Sequence, residues 1–119
     1  MTSRTVFRIG LWCCVLAVAW LAFAPLQAPV GFSYDKSNHL LAFFVMAALA
    51  DGGWPGRRYA PARIALLLGY GLLIELIQRE LPYREFSLLD FAADALGILL
   101  YQAGKAALAR LRLRLRASL

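Results

Sequence analysis

One histidine, two cysteines and seven acidic residues are all that this chain of 119 residues offers to most kinds of catalysis. The cysteines, Cys13 and Cys14, are adjacent inside an apolar run. That placement gives neither a four-ligand metal site nor an ordinary disulfide framework, so they read as small hydrophobes. No HExxH, P-loop or nucleophile elbow is present, nor any internal repeat or low-complexity linker. Charge is scarce as well: 17% of residues are Asp, Glu, Lys or Arg, against roughly 25% in an ordinary globular domain. What fills the chain is apolar, at 61% hydrophobic residues and a mean hydropathy of +0.62. A single domain this small has too much surface to hide that many apolar side chains from water. The alternative solvent is a bilayer, and the expectation is an all-α integral membrane bundle.

Four spans are predicted, at about 6–24, 35–50, 60–78 and 88–107. The first is interrupted only by Arg8, and its 19 residues make about 28 Å of helix, enough to cross a hydrocarbon core. A cleaved signal peptide competes for this segment, since Ala22-Phe23-Ala24 resembles a cleavage box. Pro25 at the following position should hinder the protease, which favours a retained span. Pro25, Pro29 and Gly31 then break the helix. The second apolar run is too short until it is extended back to Asp35, which brings Asp35, Lys36 and His39 into the interface. A turn is expected over Asp51-Gly52-Gly53-Trp54-Pro55-Gly56.

Net charge is +6, which in a water-soluble protein would suggest nucleic acid. Its distribution gives another account. With both termini cytoplasmic, ten of the thirteen basic residues flank the inner ends of the spans, leaving only Lys36, Arg79 and Arg84 outside. The charge is therefore a topology signal, and no nucleic-acid partner is expected. The C-terminal segment Leu111-Arg112-Leu113-Arg114-Leu115-Arg116 has no strand partner. The fourth helix is expected to run on or fray there, its arginines reaching anionic lipid headgroups.

In this topology the acids within the spans fall in one outer layer. Asp35 and His39 are spaced i, i+4, as are Asp90 and Asp94, while Glu75 and Gln78 are i, i+3. The short connection after Arg79 makes the third and fourth helices antiparallel neighbours and brings Glu75 toward Asp90. Ser87 can cap the fourth helix with Asp90 at the capping-box position. An uncompensated charge at this depth costs several kcal/mol, so a proton, an arginine clamp such as Arg84 or a cation must relieve the crowding. The candidate pocket is thus Asp35, Lys36, His39, Glu75, Gln78, Arg84, Ser87, Asp90 and Asp94. One imidazole and no pocket thiol make a thin ligand set, so no metal or cofactor is assigned.

These pieces resemble the VanZ-like membrane proteins. The matching segments are Asp35-Lys36-Ser37-Asn38-His39-Leu40-Leu41-Ala42-Phe43, Glu75-Leu76-Ile77-Gln78, Pro82-Tyr83-Arg84-Glu85-Phe86-Ser87-Leu88-Leu89-Asp90 and Ala93-Asp94-Ala95-Leu96-Gly97. Asp94 stands where the family more often carries Asn. The resemblance implies a multi-pass protein of the bacterial cytoplasmic membrane, of the type linked to teicoplanin-class glycopeptide resistance.

Three readings of the pocket follow. It binds or modifies an envelope component, such as a lipid headgroup or a cell-wall precursor, with Arg84 as an anion contact. It is an intramembrane metal-assisted hydrolase or transferase acting on a lipid-linked substrate. Or it is an ionic network that fixes helix register, with Gly69, Gly71, Ala93 and Gly97 permitting close packing.

Overall fold

The computed structural model describes residues 1–24, 35–83 and 87–119, with the side chains of Asp35 and Lys36 outside that description. The described residues form four helices: α1 Ser3–Phe23, α2 Asp35–Gly53, α3 Ala60–Glu80 and α4 Leu88–Ser118. The all-α expectation holds. α1 and α3, each 21 residues, are long and apolar enough to cross a membrane.

Local chemistry sets the helix ends. Thr2 caps α1 by accepting from the Thr5 amide at 3.2 Å. Ala24 leaves the helix with ψ at 142°, the extended conformation imposed on a residue preceding proline. Pro61 sits in the first turn of α3, where its missing N–H costs nothing. Between α2 and α3, Gly56 adopts φ +106°, a left-handed conformation that an L side chain would strain.

One boundary differs from expectation, and one expected extension is present. Asp51, Gly52 and Gly53 belong to the last turn of α2, not to the following turn. They are held there because Arg8 Nε donates to the Gly53 carbonyl at 2.8 Å while its guanidinium lies 4.7 Å from the Trp54 ring centroid. α4 runs on through the Leu-Arg repeat for 31 residues, about 46 Å, which gives the molecule its 59 Å long axis. Residues 103–119 are all exposed.

α2 is the central helix, packing most extensively against α4 and then α1, while α3 lies against α4 and α2. It supplies Phe43, Met46, Ala47 and Ala50 to the core, joined by Leu11, Leu67 and Ile98. At Gly97 the helices α2 and α4 touch backbone to backbone, so that a Cβ there would overlap the Leu40 carbonyl oxygen. Gly71 also allows a close approach, but Gly69 does not, since nothing lies within 4 Å of where its Cβ would be.

Candidate functional site

The apolar core is closed at both ends by polar clusters. His39 and Asp51 lie twelve residues apart on α2, a separation of about 18 Å along the helix.

At the His39 end, α2, α3 and α4 converge. His39 Nδ1 lies 2.8 Å from Asp94 Oδ1, and Nε2 lies 3.8 Å from Asp90 Oδ2. The i, i+4 spacing of Asp90 and Asp94 therefore works as expected, presenting two carboxylates to one imidazole. Glu75 and Asp94 are fully buried at 0% exposure. Gly71 makes room for Asp94: a Cβ there would stand 2.8 Å from Asp94 Oδ2 and 3.3 Å from the Phe43 ring.

Glu75 reaches α4, but by an unforeseen contact. Its Oε2 accepts the Ser87 amide at 3.1 Å. Ser87 Oγ in turn accepts from the Asp90 amide at 3.3 Å, so Ser87 is the N-cap. In a capping box Asp90 would take the Ser87 N–H. Here Glu75 takes it from the neighbouring helix, and a carboxylate oxygen of Asp90 comes to His39 instead. Glu75 Oε1 is buried with no hydrogen-bond partner among the described residues. Ligand atoms of His39, Glu75 and Asp94 all lie within 4.8 Å of one another.

Gln78 is buried too, but its Nε2 donates to the Ala22 carbonyl at 2.8 Å, tying α3 to the end of α1. Tyr83 does the same work through its hydroxyl, which donates to the Phe23 carbonyl at 2.6 Å. Both contacts satisfy carbonyls in the last turn of α1, which lack partners within the helix. The backbone of Asp35 and Lys36 opens α2. Their side chains, and Arg84 altogether, lie outside the described residues.

At the opposite end, sequence reasoning missed a cluster. Asp51 Oδ2 accepts from Tyr101 at 2.6 Å and from Lys105 at 2.5 Å, and Arg63 lies 3.2 Å from Oδ1. Arg63 also donates to the carbonyls of Trp54 at 2.6 Å and Gly56 at 2.9 Å. Two of the basic residues counted as topology signals are thus engaged with an acid, and Arg63 is itself buried. The available signal was the i, i+4 spacing of Tyr101 and Lys105, with Arg63 one turn inside α3. Burial pushes the Asp51 carboxyl up, but hydrogen bonds from Lys105 and Tyr101 and the charges of Lys105 and Arg63 outweigh it. The carboxyl is held below its ordinary value.

No family model matches the chain, and no curated protein or solved structure does.

Proposed function

We propose that the chain is a four-span, VanZ-like protein of the bacterial cytoplasmic membrane with both termini cytoplasmic. Its His39 pocket opens at the outer face and binds or modifies an envelope component. The observation that supports this reading is an inverted distribution of polarity. Glu75, Asp90 and Asp94 are buried, while Leu16, Trp20, Leu66, Leu88 and Leu99 are exposed. Water would reverse that distribution, whereas lipid favours it. By composition only α1 and α3 among the described helices are apolar enough to cross, yet the 19 and 31 residues of α2 and α4 give helices of about 28 Å or more, sufficient in length. The α4 acids Asp90 and Asp94 are buried within the bundle.

An outward pocket lined by carboxylates and an imidazole recognises polar headgroup or precursor chemistry by hydrogen bonding in a water-poor setting. The C-terminal arginines anchor the inner end to anionic lipid.

Expression in a teicoplanin-sensitive host should reduce drug binding at the cell surface and raise the inhibitory concentration severalfold. The Glu75→Leu/Asp90→Leu variant, present in the membrane at the same level, should have no such effect. Unchanged susceptibility with the wild-type chain overturns the resistance role, and an undiminished effect of the double variant returns these acids to packing alone. Orientation has its own check. Single cysteines at positions 35 and 84, in a Cys13→Ser/Cys14→Ser background, should both react with a membrane-impermeant maleimide added outside intact cells. Labelling from the cytosol overturns the outer-face pocket.

A further inference from the structure

We propose that His39, Glu75 and Asp94 form a binding site for one divalent transition-metal ion, with Zn2+ preferred over Mn2+. The inference goes beyond the envelope role and does not depend on it, since it rests on the convergence of three side chains and not on which way the pocket faces.

The first support is geometric. Donor atoms of the three residues come from three different helices and lie within 4.8 Å of one another. An ion held at about 2.0–2.2 Å by each donor sets donors roughly 3–4 Å apart. A contraction of about 1–2 Å at the widest pair closes the site, within reach of side-chain torsions. The hydrogen bond between His39 Nδ1 and Asp94 Oδ1, 2.8 Å long, holds these two side chains next to each other, and a bound ion would take its place.

The second support is an unmet need. Glu75 is fully buried, and its Oε1 has no hydrogen-bond partner among the described residues. Among the described residues no Lys or Arg forms an ion pair with it. A buried carboxylate in that condition either takes up a proton or holds a cation. Its other oxygen is fixed by the Ser87 amide at 3.1 Å, which orients the carboxylate as an outer hydrogen bond orients a metal ligand. Gly71 supplies the third support: its missing side chain leaves the space that the Asp94 carboxylate occupies.

The donor set selects the ion. One imidazole nitrogen with two carboxylates suits borderline divalent ions, and a site of this type binds Zn2+ more tightly than Mn2+. Ca2+ requires six to eight oxygens and Mg2+ keeps most of its water, so neither competes well here. A diffuse acidic cluster would show no such order.

The test uses full-length Cys13→Ser/Cys14→Ser protein, purified in detergent through a tag without histidine and stripped with chelator. Equilibrium dialysis against Zn2+ in excess Mg2+ should retain one Zn2+ per chain at micromolar free metal, with Mn2+ bound more weakly. His39→Ala, Glu75→Gln and Asp94→Asn should each weaken retention by about tenfold or more. No retention by the parent protein, retention of Ca2+ as strong as that of Zn2+, or full retention in all three variants overturns the site. Should a variant fail to fold, X-ray absorption on the Zn2+-loaded parent decides. An oxygen and nitrogen shell with a single imidazole supports the site, and a shell without imidazole overturns it. Zinc binding without any resistance phenotype removes the envelope proposal and leaves this one standing. The converse removes only this one.

Discussion

Asp51→Ala should destabilise the protein by about 3–5 kcal/mol, the cost of removing one partner from a buried ion pair and stranding the other. The stranded group is Arg63, whose side chain is 6% exposed and 3.2 Å from the Asp51 carboxylate. It keeps its hydrogen bonds to the Trp54 and Gly56 carbonyls, which places the loss toward the lower end of that range. Lys105 differs, because its side chain is 49% exposed and can return to water. Lys105→Met should therefore cost only about 1 kcal/mol or less. Removing both buried partners, in Asp51→Leu/Arg63→Met, should recover much of the loss. Thermal unfolding midpoints of the detergent-solubilised variants give the order. A midpoint for Asp51→Ala equal to that of Lys105→Met would mean that the cluster is a surface feature after all.

The same residue predicts a pH dependence with a defined sign. The Asp51 carboxyl is held below its ordinary value in the folded chain, so the folded state binds this proton less readily than the unfolded state does. Its contribution is complete above the unfolded carboxylate value of about 3.9 and is lost as pH falls through the lower folded value. Acidification below about pH 4 should erode the stability difference between wild type and Asp51→Asn, because the other acids titrate in both proteins. A difference that is constant from neutral pH down to pH 3 would count against this account.

The helices were legible in the sequence because long apolar runs leave little choice. The expected spans and the observed helices agree closely at their starts, and even the short run 40–50 needed the extension to Asp35 that α2 makes. The ends were less legible. A Gly-Gly-Trp-Pro-Gly segment reads as a turn throughout, and only a side chain from another helix, Arg8, reveals that the last turn of α2 is completed at Gly53. Within the His39 pocket, spacing placed Asp90 and Asp94 on one face and loop length placed Glu75 beside α4. Two matters required the structure. His39 meets Asp94 because α2 and α4 cross closely at Gly97, and no spacing within one helix encodes that rotation. The Ser87 amide goes to Glu75 because a long-range acceptor outcompetes the local capping box. Asp51 escaped notice for a related reason: counting basic residues as topology signals treats each as a free charge, and Arg63 and Lys105 are not free.

Gly97→Leu should prevent α2 and α4 from docking as they do, and Gly97→Ala should lower stability by about 1–3 kcal/mol, the range for overfilling a packed contact. A Cβ at position 97 overlaps the Leu40 carbonyl oxygen and stands 3.1 Å from both the Leu40 carbonyl carbon and the Phe44 amide nitrogen. All three are backbone atoms, so no rotamer change relieves the clash and the helices must separate. Replacing a helical glycine by alanine otherwise gains about 1 kcal/mol, and this gain is realised only where space exists. Gly69 and Gly104 have nothing within 4 Å of the added carbon. Gly69→Ala and Gly104→Ala should accordingly be neutral or stabilising by up to about 1 kcal/mol. The opposite signs of one chemical change, read from unfolding midpoints, isolate the helix contact from intrinsic propensity. The consequence extends to the pocket, since His39 immediately precedes Leu40 and Asp94 lies one turn before Gly97. Moving the backbones apart lengthens the 2.8 Å contact between His39 and Asp94. Gly97→Ala should thus weaken zinc retention while Gly104→Ala leaves it unchanged. Equal retention in the two would show that the crossing at Gly97 does not position the site.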